Sequence, residues 1–173
     1  MPAIVTIIGQ AVILRDDNID TDRIIPARYL RCVTFDELGQ HVFKDDRAAA
    51  VARGQVHPFD EPRFQGASIL ITGTNFGSGS SREHAVHALA KWNHDLGQPG
   101  IKAIIARGKY SEIFFGNALA NGLPCFIVAE ADWLNLVDLI ERDPKLEAEV
   151  SLDKMTALID HKYYKLELQH PAA

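Results

Sequence analysis

Cysteine is scarce in this chain: Cys32 and Cys125 are the only two among 173 residues. They stand far apart and no C-x-x-C occurs, so the chain alone cannot hold an iron–sulfur cluster or a structural zinc by the usual cysteine spacing. The opening Met1-Pro2-Ala3-Ile4-Val5 has no basic region and no signal-peptide pattern. The expected compartment is therefore the reducing cytoplasm, where a Cys32–Cys125 disulfide is not the expected state. No apolar run approaches the roughly 18 residues of a membrane span. A net charge of −5 with no basic tract argues against nucleic acid and anionic membrane as partners. No repeat or low-complexity segment is visible. What remains is a globular composition, 47% apolar and 24% charged, in a length that suits a single domain, 1–173, with a real core.

The order of patterns along the chain suggests layers. Ile4 to Leu14 is β-rich, with Gly9 as a turn or bulge. Asp16 to Asp22 is too polar for a strand interior and reads as a turn. Thr34 to Val42 suits a short helix, with Thr34 as N-cap and Glu37 completing a capping box. Residues 44–66 read as a helix with a loop or as one long mobile loop, and loops of that length in compact domains are usually functional. From Ser68 the pattern alternates: strand 68–72, helix 81–92, strand 101–106, helix 111–120 stopped by Gly122, strand 123–128 and helix 132–142. Such alternation implies an α/β layer with parallel pairing. Short strands return between Glu149 and Leu168, so β-strands flank the α/β centre. The fold class expected is α/β, as a layered β/β/α domain.

The chemistry concentrates in Gly73-Thr-Asn-Phe-Gly-Ser-Gly-Ser-Ser-Arg-Glu-His84. It runs from a buried strand through a glycine-rich turn into a helix. Such a turn leaves backbone N–H groups pointing at open space, where the helix dipole favours an anion. Ser80, Ser81 and Arg82 at that helix start suggest a site for a small, carboxylate-bearing molecule. The plainer account is a capping box, with Ser80 as N-cap and Glu83 three residues on. That explains one serine and the glutamate, but not Gly77, Gly79 and a second serine beside Arg82. Neither nucleotide fingerprint fits, since Arg82 takes the third glycine position of G-x-G-x-x-G and no G-K-[ST] follows.

Two other groupings are weaker. Asp16, Asn18 and Asp20 have the first spacings of a calcium loop, but Thr21 and Ala27 stand where glycine and glutamate are needed. His84 and His87 share a helix face yet lack a third ligand, so partly buried or surface histidines are the simpler account.

The ordered motifs Asn18-Ile-Asp-Thr-Asp-x-Ile-Ile-Pro26, Tyr29-Leu-Arg31, Asn75-Phe-Gly-x-Gly-Ser-Ser-Arg-Glu-His84, Ala103-Ile-Ile-Ala106 and Asn121-Gly-Leu-Pro124 span nearly the whole chain. Together they resemble the aconitase family, in the branch of the 3-isopropylmalate dehydratase small subunits. The resemblance implies a three-layer β/β/α swivelling domain like the aconitase C-terminal domain, and a heteromeric hydro-lyase. A large subunit would carry a [4Fe–4S] cluster, with no cofactor and no metal on this chain. The reaction implied exchanges 2-isopropylmalate and 3-isopropylmalate through isopropylmaleate, in leucine biosynthesis.

Roles follow by motif position. Ser80 matches the base that removes a proton α to a carboxylate, Asp22 a member of the catalytic hydrogen-bond network, and Ser81 and Arg82 the carboxylate binders. Arg31 matches a substrate-binding arginine on a loop, which places a substrate-recognition loop at about 31–65. Two alternatives stand beside this. One keeps the fold and changes the substrate to that of homoaconitase or another alkylmalate hydro-lyase, since Arg31 suits either the shared malate carboxylate or an extra one. The other is a non-catalytic anion-binding domain.

Overall fold

The computed structural model describes residues 6–32 and 34–169. Strands β1 (Thr6–Gly9) and β2 (Ala11–Leu14) are one extended run bent at Gln10. Ile4 and Val5, expected at its start, lie outside the described residues. At Gly9 the chain passes close to Ser68: a Cβ there would stand 1.9 Å from its Oγ, so a larger residue would turn the Ser68 hydroxyl away. Strands β3 (Ile69–Thr72), β4 (Ala103–Ala106) and β5 (Cys125–Val128) follow, and β2 to β5 pair in parallel in that order. Nearly every residue in these four strands is buried, as expected of a parallel sheet covered on both faces.

Strands β6 (Ala148–Ser151), β7 (Thr156–Ile159) and β8 (Lys162–Leu168) build an antiparallel layer that includes β1. β8 serves both layers. Its first half pairs with β7, Ile159 opposite Lys162, and its second half with β5, Val128 opposite Leu166. The full order is β1-β6-β7-β8-β5-β4-β3-β2. Its two ends, β1 and β2, are consecutive in sequence and joined by Gln10, so the chain itself links the antiparallel layer to the parallel sheet there.

The helices complete the third layer, giving the β/β/α architecture. α1 (Thr21–Ile24) and α2 (Lys44–Ala52) precede β3. α3 (Glu83–Ala90) and α4 (Glu112–Ala120) are the crossovers between parallel strands, and α5 (Glu130–Arg142) follows β5. Trp133 of α5 is held on the sheet by donating Nε1–H to the Thr72 carbonyl at 2.8 Å. α1 was not expected, because its sequence is polar. Its cap is Asp20, whose carboxylate accepts from the Arg23 N–H at 2.8 Å. Thr34 does precede a helical stretch, the 3-10 turns Phe35–His41, but its side chain makes no capping bond.

The stretch 34–65 is mostly short helices: Phe35–His41, α2, then 3-10 turns at Pro58–Asp60 and Pro62–Phe64. Between Lys44 and Ala52 only Ala50 is buried, but Leu38, Val42, Phe43, Phe59 and Phe64 are buried on either side. The Phe59 ring lies 4.2 Å from Trp92 and 4.8 Å from Phe43, centroid to centroid. Phe43 adopts a left-handed backbone, φ 52°, which is costly for a bulky residue and is sustained by complete burial of its ring. Phe59→Ala is therefore expected to cost about 3–5 kcal/mol in urea unfolding. A loss under about 1 kcal/mol would show that this stretch hangs free of the core.

Candidate functional site

The site is built where β2 and β3 end. Their chains do not part at the strand ends but continue side by side. Asn18 donates its N–H to the Thr74 carbonyl, Ile19 accepts from Gly77 N–H, and Thr21 donates to the Ser78 carbonyl, at 2.9, 2.7 and 2.8 Å. Asp20 and Ser78 form a parallel bridge. Side chains add to this: Asn75 Nδ2 donates to Asn18 Oδ1 at 3.0 Å, and Thr21 Oγ1 to the Ser80 carbonyl at 2.8 Å. Gly77, at φ 84°, lets this turn lie against α4, since a Cβ there would stand 2.2 Å from the Phe114 ring.

A charged clamp closes the pair of chains at their base. Asp17 Oδ1 accepts from the Thr74 N–H at 2.8 Å, and Asp17 Oδ2 is bonded to Arg107, the residue after β4. Arg107 also reaches Glu130 at 3.2 Å and lies over the Trp133 ring. The Arg107 guanidinium holds the Asp17 carboxyl below its ordinary value of 3.8, against the opposing effect of partial burial.

The helix starts later than its sequence suggests. Arg82, with an extended backbone, is the N-cap of α3, and Glu83 is its first residue. Ser80 is thus not a capping residue and no Ser80–Glu83 capping box forms. Gly77 and Gly79 take positive φ, the chain bends at Gly79 and Ser80, and Arg82 is extended, so the helix does not begin at Ser80. As a result Ser80 and Ser81 are exposed and their hydroxyls make no hydrogen bond among the described residues. The N–H groups of Glu83 and His84 also lack partners there, which leaves donors beside the two serines.

Arg82 Nη1 donates to Asp22 Oδ1 at 2.8 Å and to the Ile25 carbonyl at 3.3 Å. Asp22 is exposed while the Arg82 side chain is largely sunk, so the pair orients Arg82 more than it stabilises the fold. Asp22 is thus placed against Arg82, two residues on from Ser80 and next to Ser81. Arg31 is exposed, and no hydrogen bond or ion pair joins it to that group among the described residues. It lines a small pocket of about 170 Å³ with Cys32, Glu37 and His41. Its loop is nevertheless tied to the site at both ends. Ile25 holds Arg82, and Phe35 stacks on His87 at 4.0 Å and meets His84 edge-on at 5.0 Å. Arg31 stands on the arch between those two feet.

Both histidines are engaged in this packing, and His87 also faces Glu83 at 3.3 Å. Among the described residues no group of three or more histidine, cysteine or acidic side chains could hold a metal ion. Cys125 is buried and its thiol is pushed well above the ordinary range. No helix among the described residues is long and apolar enough to cross a membrane. Thr21, Asp17 and Arg107 went unseen in the sequence, although Arg107 follows a parallel strand at its C-terminal end, where ligands collect in open α/β sheets.

The sequence matches a known family: residues 1–129 fit the aconitase C-terminal domain. The chain belongs to that family. It is 50% identical over 153 residues to the 3-isopropylmalate dehydratase small subunit of Synechocystis sp., covering 88% of this chain and 70% of that one. The small subunit of the same name from Thermus thermophilus is 47% identical over 144 residues, with 83% and 68% covered. Among solved structures, the 3-isopropylmalate dehydratase (leuD) of Methanocaldococcus jannaschii superposes with a TM-score of 0.68 at 30% identity, covering 95% of this chain and 83% of that one.

The clamp at the base of this aconitase-family site is testable by pH. A depressed Asp17 contributes stability that is fully present above its unfolded value of 3.8 and is lost as pH falls through the lower folded value. Asp17→Asn should therefore lower the urea midpoint at neutral pH, and its midpoint should fall less steeply than the wild type's below pH 3.8. Asp45 and Asp153 are also depressed but are common to both proteins, so the difference isolates Asp17. Parallel curves would remove the clamp from the account.

Proposed function

We propose that this chain is the small, substrate-recognising subunit of a cytoplasmic 3-isopropylmalate dehydratase. That enzyme is a hydro-lyase that interconverts 2-isopropylmalate and 3-isopropylmalate through isopropylmaleate in leucine biosynthesis. The observation that carries the reading is the free Ser80 hydroxyl beside an Arg82 already oriented by Asp22, in a chain half identical to proteins of that name.

Ser80 removes the proton α to a substrate carboxylate. A neutral serine is a weak base, so the site must favour its alkoxide. The unused N–H groups opening α3 and the Arg82 cation supply positive potential at that point. Ser81 and Arg82 take a carboxylate. Arg82 spends Nη1 on Asp22 and Ile25, which leaves Nη2 and Nε for the ligand. Arg31, on the arch over α3, takes the second carboxylate, and the loop around it admits substrate.

The residues here do not suit a cluster. The [4Fe–4S] group that would withdraw the substrate hydroxyl is assigned to the large subunit, with which this chain pairs as a heterodimer or larger assembly. Catalysis then needs both chains, since proton and hydroxyl leave toward different subunits.

The test is anaerobic co-purification with the large subunit, followed by hydration assays on isopropylmaleate and homoaconitate side by side. Preference for homoaconitate would assign Arg31 to a third carboxylate and change the substrate. Activity from this chain alone, free of iron, would sink the subunit reading. In the complex, Ser80→Ala should lower kcat at least about a hundredfold with assembly intact. A folded Ser80→Ala complex that keeps most of its kcat would remove Ser80 as the base. Arg82→Lys should raise KM roughly tenfold, because an ammonium cannot reproduce the planar fork. Unchanged kinetics would turn Arg82 away from substrate.

A further inference from the structure

A second concavity lies away from the serine turn. A cleft of about 500 Å³ lies between α2, α5 and the end of β2, a size typical of small-molecule sites. Ile13, Leu14, Ile19, Phe43, Val56 and Phe64 give it an apolar wall. Its charged lining is unevenly satisfied. Every carboxylate has an arginine: Asp16 and Asp46 meet Arg23, Glu61 meets Arg63, and Glu141 meets Arg15 and Arg63. Of the four lining arginines, Arg53 alone has no carboxylate among the described residues, its Nε touching only Gln55 Oε1 at 3.4 Å.

A second donor, on His57, lines the same cleft. His57 Nδ1 accepts from the Phe59 N–H at 3.1 Å, so in the neutral ring Nε2 carries the hydrogen, and it has no acceptor among the described residues. Burial pushes the imidazole down from 6.5 to about 4, which keeps it neutral under physiological conditions. The cleft thus offers two donors with no carboxylate on them among the described residues, beside apolar side chains. We propose that this cleft is a second small-molecule site that takes a monocarboxylate with a branched apolar body, its carboxylate on Arg53 and His57.

The cleft shares α1 with the serine turn. Arg23 of α1 and Ile19 just before it face the cleft, while Thr21 and Asp22 hold Ser80 and Arg82. A ligand there presses on the helix that positions the turn. Binding itself does not rest on the dehydratase reading, and only the consequence for turnover does.

The test uses the isotope-labelled full chain titrated with 3-methylbutanoate, followed by amide resonances. The expected result is saturable shifts at Arg53, Val56 and His57 that extend into Thr21–Ile24. Acetate, which lacks the apolar body, and 3-methylbutanol, which lacks the charge, should bind at least about tenfold more weakly. Arg53→Ala should weaken binding about tenfold, and Val56→Glu, which sets a like charge at the mouth, should do the same. Both positions are exposed, so neither variant should disturb folding. Ser80→Ala should leave binding unchanged.

No saturation by about 20 mM, or an Arg53→Ala chain that binds like the wild type, would overturn the proposal. Shifts centred on Ser80–Arg82 would overturn it too, while placing the acid in the proposed substrate site. Loss of the cleft shifts once the large subunit is bound would make the cleft part of the subunit interface. Shifts confined to the cleft, with Thr21–Ile24 unmoved, would overturn the link to the serine turn.

Discussion

The site depends on two chain segments staying together after the strands they leave have ended. β2 and β3 run parallel to Leu14 and Thr72, and their continuations hold hydrogen bonds as far as Thr21 and Ser80. Each backbone bond contributes only about 1 kcal/mol net, but several in series fix the path of both chains. Side chains would ordinarily drive such segments apart. Here Gly73 falls where the other chain comes close and Gly77 where α4 does, while Gly79 serves its positive φ of 92°. A Cβ on Gly73 would meet Asp17 Oδ1 at 2.1 Å. Glycine in this turn therefore serves contact between segments as well as backbone freedom.

What the pairing delivers is a serine held by its backbone and left free at its hydroxyl. Thr21 anchors the Ser80 carbonyl, so Oγ stays available at the mouth of α3. The same pairing brings Asp22 against Arg82, two residues far apart in sequence. Both groups are placed before any ligand arrives, which is the condition for electrostatic stabilisation without reorganisation during reaction. The arrangement sits at the C-terminal ends of parallel strands, where the open crevice of an α/β sheet lies. Arg107, at the end of the next strand, fixes the base of the crevice through Asp17.

The alternation from β3 to α5 was legible because parallel strands buried on both faces read as short apolar runs between helical patterns. The helix boundaries at Ser68–Val128 shifted by a residue or two, as such ends do. The start of α3 moved for a specific reason: Ser80 and Glu83 have capping-box spacing, but Ser80 lies in a bend after the positive-φ Gly79, and Arg82 takes the capping position. α1 was hidden because Asp20 to Arg23 is as polar as a turn, and only its docking on the Ser78 strand gives it a reason to coil. Ser80, Ser81, Arg82 and Asp22 were legible as residue types at a strand-to-helix turn and in a family pattern. Asp17 with Arg107 was not, since a pair formed between distant loops leaves no local pattern. The aromatic anchors Phe43, Phe59 and Phe64 lay scattered among prolines and charges, with no period to mark them as core.

α1 shows how these parts join. Four residues cannot sustain a helix by their own hydrogen bonds, because nucleation costs more than one turn returns. Its geometry is therefore set by what its side chains grip. Thr21 and Asp22 reach toward the serine turn, and Arg23, the next residue, reaches the other way to Asp16 at 3.1 Å and Asp46 at 2.9 Å. Asp46 belongs to α2, whose register is fixed in turn by the buried Phe43 before it. A rotation of α1 that lengthened the Arg23 contacts would have to alter the Asp22–Arg82 contact, since adjacent helical residues share one rigid turn. The orientation of the arginine beside Ser80 thus depends on packing two elements away, and the clustered aromatics of the 34–65 stretch become part of what aims the site.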